Sequence, residues 1–353
     1  MIPSDSCNVR GECCSTPSPT ASPTKNPTQR PTTAAPTTPN PTPNPTPQPT
    51  PSPFDAAFAE MMAYAETKSS RSSLRNTNSP QYKAVEWLAQ DKADNGSNWN
   101  GYELLQRYVL RVLYHSTGGE NWGCTNGCSY FDADTTWFQP ASVCDWGSDH
   151  ARCSGNGQQV DYISFFKNKL QGTIPDELGL LTALTYLHLR SNELTGTLPS
   201  QLGQLTALTY LEFWSNRLTG TIPTQLGQLS ALTWLSLRDN QLTDTIPSQL
   251  GYLTALTELY LQNNQLSRTI PLTLTQLTNL KILYFHDNNL VGQVPSGFCA
   301  ASFPDWRADG AYGNDRLWAD CMSDVQCACC DKCFDETGNE FCWSNASDDF
   351  VSC

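Results

Sequence analysis

Basic residues, histidines and long apolar runs are all scarce in this sequence, and each shortage closes off a class of function. Lys and Arg number 21 against 34 Asp and Glu, for a net charge of −13. A surface of that sign repels phosphate backbones and anionic headgroups, which argues against nucleic acid and against membrane surfaces as partners. No stretch approaches the roughly 18 apolar residues that a membrane-spanning helix needs. Met1–Thr20 also lacks the apolar centre of a secretion signal. Only four histidines are present, His115, His150, His188 and His286, and they are widely separated. No H-E-x-x-H, phosphate loop, nucleophile elbow or paired-carboxylate frame occurs. The expectation is a chain with no catalytic residue, no cofactor and no metal.

What is abundant is repetition. From Val160, Leu184, Leu208, Leu232, Leu256 and Leu280 the chain reads L-x-x-L-x-L-x-x-N-x-L-x-G-x-I-P-x-x-L-G-x-L-x-x with small variations, six times at a spacing of 24 residues. The asparagines fall at Asn168, Asn192, Asn216, Asn240, Asn264 and Asn288. A fixed period in this range marks a solenoid, and this pattern marks the leucine-rich repeat. The L-x-x-L-x-L part predicts one short strand per unit, stacked into a parallel sheet with its leucines inward. The asparagine amide is expected to satisfy backbone groups where the chain leaves the strand. The I-P-x-x-L-G-x-L part returns along the outer side. One unit buries about seven aliphatic side chains at roughly 1.5–3 kcal/mol each, against about 1.5 kcal/mol per residue for ordering 24 residues. No unit can stand alone, so both ends need covering.

The rest of the chain divides accordingly. Residues 1–14 hold Cys7, Cys13 and Cys14, an odd set open to a disulfide link with another chain. Residues 15–53 are rich in Pro and Thr, which favours polyproline II or disorder over packing. This stalk carries O-glycosylation candidates at Thr32, Thr33, Thr37, Thr38, Thr42, Thr46 and Thr50. Residues 54–159 are read as an N-terminal cap. Helices are expected from Phe54, over Gln81–Gln90 and over Tyr102–His115, with a polar loop after the first. Cys124, Cys128, Cys144 and Cys153 follow; pairing neighbours is the simplest of three connectivities. After the repeats (160–298), residues 299–353 carry Cys299, Cys321, Cys327, Cys329, Cys330, Cys333, Cys342 and Cys353. Their even number and the lack of histidine after His286 favour a disulfide-rich C-terminal cap over a zinc site. Calcium is not expected without a D-x-[DN]-x-[DN]-G loop. Fifteen cysteines in all imply an oxidising compartment, and therefore a mature or partial chain whose targeting segment is missing. Asn95 and Asn345 head N-glycosylation sequons.

The repeat consensus resembles the plant-type extracellular leucine-rich repeat of receptor-kinase ectodomains and polygalacturonase-inhibiting proteins. The flanking stretches SPQYKAVEWLAQD, LLQRYVLRVLYHSTGGENW, Cys144-Asp145-Trp146 and ADCMSDVQCACCDKCF narrow the likeness. They are similar to secreted or surface leucine-rich repeat proteins of diatoms and related stramenopiles. The likeness extends over about residues 54–335. The cap motif of that group reads C-x-W-x-G-V-x-C, whereas here an insertion separates Cys144 from Cys153. The resemblance implies an α/β solenoid, a right-handed superhelix of six repeats, located outside the cell.

Alternation along each strand points positions 3, 5 and 7 of every unit out of the concave sheet. These positions bring together Tyr162, Phe166, Tyr186, His188, Arg190, Tyr210, Glu212, Trp214, Trp234, Arg238, Tyr260, Tyr284 and His286. Aromatics and arginines dominate binding hot spots. The expected function is therefore non-catalytic recognition of an extracellular glycan, stacked on the rings, or of a peptide or protein segment. A structural role in cell wall, matrix or fibre, with self-association, is the alternative. A further reading rests on Thr195-Gly196-Thr197, Thr219-Gly220-Thr221 and Thr243-Asp244-Thr245, a threonine ladder of the kind that binds ice.

Overall fold

The computed structural model describes residues 51–99, 101–123, 143–145, 150–155 and 157–299, and short strands between 316 and 352. The chain divides into Met1–Pro49 and Thr50–Cys353, and all that follows concerns the second unit. The Pro/Thr-rich residues up to Thr50, with all their candidate O-glycosylation sites, lie outside the described residues.

Helix α1 (Pro53–Ala65) starts at a capping box. The Ser52 hydroxyl accepts from the Asp55 N–H at 3.1 Å, the Asp55 carboxylate accepts from the Ser52 N–H at 3.3 Å, and Pro53 takes the first helical position. A one-turn helix α2 (Arg71–Arg75), capped by Ser70, interrupts the stretch read as a polar loop. Helix α3 (Pro80–Asn95) runs a turn beyond the expected end at Gln90. Its apolar periodicity stops there, but side-chain pairs Gln90–Asp94 (2.9 Å) and Asn95–Asp91 (2.6 Å) hold the last turn until Gly96, at φ 62°, closes it. Helix α4 (Gly101–Ser116) has two buried faces. Tyr108 and Val112 pack with Met61, Val85 and Leu88 of α1 and α3, while Val109, Leu110 and Leu113 join the core of the repeats.

The repeats stack as expected of their spacing. Parallel strands place Tyr162, Tyr186, Tyr210, Trp234, Glu258 and Ile282 opposite one another in sequence, and the strand Arg316–Asp320 continues the sheet beyond Ile282–Tyr284. The second unit is typical: Leu184, Leu187, Leu189, Leu194, Leu198, Leu202 and Leu205 are all buried. Each unit returns through a single 3-10 turn, such as Ser200–Gln204 and Thr224–Gln228, entered from an extended proline. Glycine is required inside these turns by close approach rather than by φ. A Cβ on Gly203 would meet the Gln225 carbonyl oxygen at 2.4 Å, and one on Gly227 the Gln249 carbonyl at 2.4 Å.

Asn192, Asn216, Asn240, Asn264 and Asn288 form the column the pattern implies, whereas the Asn168 amide is buried without a partner. The Asn240 amide donates to the carbonyls of Phe213, Leu237 and Arg238 at 3.0–3.1 Å and accepts from the Leu218 N–H at 3.0 Å. Asn216 and Asn264 repeat this arrangement, so the Phe213 carbonyl is held by two successive asparagines, as is that of Leu237. All are buried or nearly so, where an unmet backbone group is expensive.

Shorter strands pair along the flank, in a two-stranded and a four-stranded sheet joined by one isolated bridge. There the partners are Thr173 with Thr195, Thr219 with Gln241 and Ser267 with Asn289, so each strand slips by two residues relative to the main sheet.

Candidate functional site

The outward face of the main sheet carries three columns. In the first, Tyr162, Tyr186, Tyr210 and Trp234 stack nearly parallel, with centroids 4.6, 4.3 and 5.3 Å apart and planes within 20°. Tyr260 continues the row at 5.1 Å from Trp234, tilted by 39°, and Tyr284 follows at 5.3 Å, turned by 84°. The ring chain thus crosses all six strands. Strand spacing of about 4.8 Å forces the contact, and it has a chemical consequence. Inner rings present their faces to each other and only their edges outward. At the first ring the Arg152 guanidinium lies 4.0 Å over Tyr162.

The second column alternates ring and cation. Arg190 lies over Phe166 (4.2 Å) and Trp214 (5.0 Å), and Arg238 covers the other side of Trp214 (4.3 Å). Gln262 and His286 complete it. Gln262 is buried, and its Oε1 has no partner.

Between them runs position 5, which the structure sinks below the other two. Ser164, His188, Glu212 and Ser236 are all buried. This departs from the expected open row: Glu212, at 2% exposure, and His188 are covered rather than presented. The Glu212 carboxylate accepts from the Tyr210 hydroxyl (3.0 Å) and from Trp214 Nε1 (2.6 Å). It also lies 2.9 Å from His188 Nε2, off the line of a straight hydrogen bond, and 3.7 Å from Arg190 Nη1. Burial pushes its pKa up, but the contacts with His188, Tyr210 and Arg190 outweigh this and hold it below the ordinary carboxylate range. Burial and the Glu212 charge together push the Tyr210 phenol well above its ordinary value. Tyr260 is raised likewise, by burial and by its 2.5 Å bond to Glu258 Oε2.

Ser164 Oγ stands 3.2 Å from His188 Nδ1, which strings Ser164, His188 and Glu212 into one line. The line lacks what acyl transfer needs. The Ser164 and Phe165 N–H groups already bond the His150 and His188 carbonyls, leaving neither as an oxyanion donor. Its effect is to tie together the two columns. Sequence reasoning placed His188, Arg190, Tyr210, Glu212 and Trp214 on this face but missed their linkage to one another and to Ser164, because coupling at position 5 crosses strands and leaves no local pattern.

On the flanking sheet the threonine ladder divides by position. The Thr195 and Thr219 hydroxyls donate to the Gly172 and Gly196 carbonyls at 3.1 and 3.3 Å. Thr173, Thr197 and Thr221 remain exposed. The two-residue slip sets Thr197 beside Thr219 instead of Thr221, so the array is diagonal rather than rectangular.

Of the expected covalent sites, a disulfide joins Cys144 to Cys153. Cys124, Cys128, Cys321, Cys327, Cys329, Cys330 and Cys353 lie outside the described residues, as do the side chains of Cys299, Cys333 and Cys342. Asn95 is exposed at the end of α3, and Asn345 lies outside the described residues. No described helix is long and apolar enough to cross a membrane.

Residues 161–297 match the family model of the leucine-rich repeat region, and over that stretch the chain is a leucine-rich repeat protein. No curated protein matches the sequence. Among solved structures, one similar chain is the ectodomain of the receptor kinase GASSHO1/SCHENGEN3 from Arabidopsis thaliana, in complex with CASPARIAN STRIP INTEGRITY FACTOR 2. It is 36% identical over 48% of this chain and 19% of that one, with a TM-score of 0.42. The present chain thus spans about a fifth of that ectodomain. A chain of the BIR3–SERK2 complex from Arabidopsis thaliana is 30% identical over 52% of this chain and 94% of its own, at 0.41. A plant ice-binding protein is 26% identical over 65% of this chain and 66% of its own, at 0.49.

Proposed function

We propose that this protein is a non-catalytic recognition module that takes an extended peptide or protein segment along the outward face of its main sheet. One observation carries the reading, the unbroken chain of six rings from Tyr162 to Tyr284 across successive strands. A row of that kind supplies large contact area with little side-chain freedom left to lose. The stacking also chooses between ligand classes. A sugar stacks on a ring face, and the inner faces are occupied by neighbouring rings. An extended backbone meets ring edges and phenol groups, which are what the row offers. The Cys144–Cys153 disulfide and the exposed Asn95 sequon support an extracellular location for the module.

The test is selection from a displayed random-peptide library on the wild-type chain, followed by titration of the selected peptides. Replacing Tyr186, Tyr210 and Trp234 by Ala is expected to weaken the selected peptides at least tenfold while the melting transition stays cooperative. Selected peptides that bind the triple variant as tightly as the wild type would refute the assignment.

A further inference from the structure

Within that reading, which this inference rests on, the ligand can be narrowed by asking what chemistry the face lacks. Its central charges are paired internally. Glu212 is matched by Arg190 and His188, Arg238 by Asp239 at 3.6 Å, and Glu258 receives the Tyr260 hydroxyl. The guanidiniums are also clamped between rings. A charged ligand would have to compete with these pairs, whereas a neutral one would not. The face's side-chain atoms without a partner, among them the donors Trp234 Nε1 and Arg190 Nε and the acceptor Gln262 Oε1, are buried, so they add no charge for a ligand to meet. The ligand should therefore be neutral, with carbonyls to accept from the phenol groups that the row presents.

A proline-rich chain has that composition. Each proline removes an N–H and leaves its carbonyl, and polyproline II makes no internal hydrogen bonds, so its carbonyls are free to accept. Such chains dock on aromatic ridges in known recognition modes. The sequence itself contains one. From Pro39 to Pro51 every second residue is proline, the others are Asn, Thr and Gln, and no charge occurs. Length fits as well. Five strand intervals of about 4.8 Å make a ring row of roughly 24 Å, which about eight polyproline II residues at about 3.1 Å each would span. The thirteen-residue run is long enough to cover it.

We propose that the face binds a neutral proline-rich segment, and that a second copy of this chain supplies it through Pro39–Pro51. The ring row is the receptor, and the outcome is head-to-tail association between copies.

The experiment has two arms. In the first, the synthetic peptide PNPTPNPTPQPTP is titrated into the full chain, with its Pro→Ala counterpart as control. Saturable binding is expected, at least tenfold tighter than the control. Trp234→Ala, which breaks the row between Tyr210 and Tyr260, is expected to weaken it several-fold. Hydrogen exchange on the unmodified chain reports the footprint without any variant, and protection is expected over strands Tyr186–His188 through Trp234–Ser236. In the second arm, sedimentation velocity of the full chain is expected to show concentration-dependent association. That association should disappear when alternate prolines of Pro39–Pro51 become Ala. Absence of peptide binding overturns the proline-rich assignment, and if library-selected peptides of other composition still bind the face, the recognition reading survives it. Peptide binding with a full chain that stays monomeric at every concentration overturns the second copy as source.

Discussion

Replacing Asn240 with Ala should cost more than its small size suggests. The substitution removes four hydrogen bonds at a position 9% exposed. The losses are unequal. The Phe213 carbonyl keeps Asn216 and that of Leu237 keeps Asn264, so each retains one donor. The Leu218 N–H loses the acceptor it has in Asn240 Oδ1. An unmet buried donor costs about 1–3 kcal/mol, and the weakened carbonyls add about 1 kcal/mol, giving about 2–4 kcal/mol in all. Urea unfolding followed by far-ultraviolet circular dichroism would read this as a lower midpoint at unchanged slope. Thr233→Val is the internal control. It removes one bond to the Thr209 carbonyl at an exposed site and should cost less than about 1 kcal/mol. Because Phe213 is shared, Asn216→Ala combined with Asn240→Ala should depart from additivity. A loss below about 1 kcal/mol for Asn240→Ala would show that the column is decoration and would refute the reasoning.

The other predictions concern the cap, the turns and the flank. Burial first, then the charges of Arg111 and Lys83, depress His115 to about 4. The unfolded chain then takes up a proton between pH 6.5 and 4 that the folded chain does not, so stability falls as pH falls through that window. After allowance for partial exposure the effect is about 1–2 kcal/mol. It is measured as the difference in unfolding midpoint between wild type and His115→Gln at pH 7 and pH 4.5; equal differences at both would contradict it. Gly203→Ala would drive a Cβ against the Gln225 carbonyl and should lower stability by about 1–3 kcal/mol, checked by calorimetry. Arg268 holds φ 67° where Gly172, Gly196, Gly220 and Gly292 occupy the matching places. Arg268→Gly should therefore raise stability by about 1 kcal/mol, and a fall in the melting temperature would count against strain there.

The repeats, the strand registers and the composition of the outward columns were readable from spacing alone, because a 24-residue period dictates which residues become neighbours. The column Tyr162–Tyr186–Tyr210–Trp234 follows directly from it. What did not follow was depth. Positions 3, 5 and 7 share a face, yet long side chains at 3 and 7 lean over position 5 and bury Glu212 and His188. Nor could the period disclose the two-residue slip of the flanking sheet, which depends on how tightly the chain turns after Asn192 and its counterparts. The α3 boundary was misjudged for a local reason, since polar pairs such as Asn95 with Asp91 extend a helix without any apolar signal.

The asparagine column also sets a rule for how such a molecule can change. From Asn192 onward the amide serves backbone groups of its own turn and of the turn before it. A duplicated or deleted turn therefore arrives with its own bonding complete and leaves its neighbours' bonding intact. Lineages can lengthen or shorten the ring row in whole 24-residue increments, adjusting reach to ligand without redesigning a single contact.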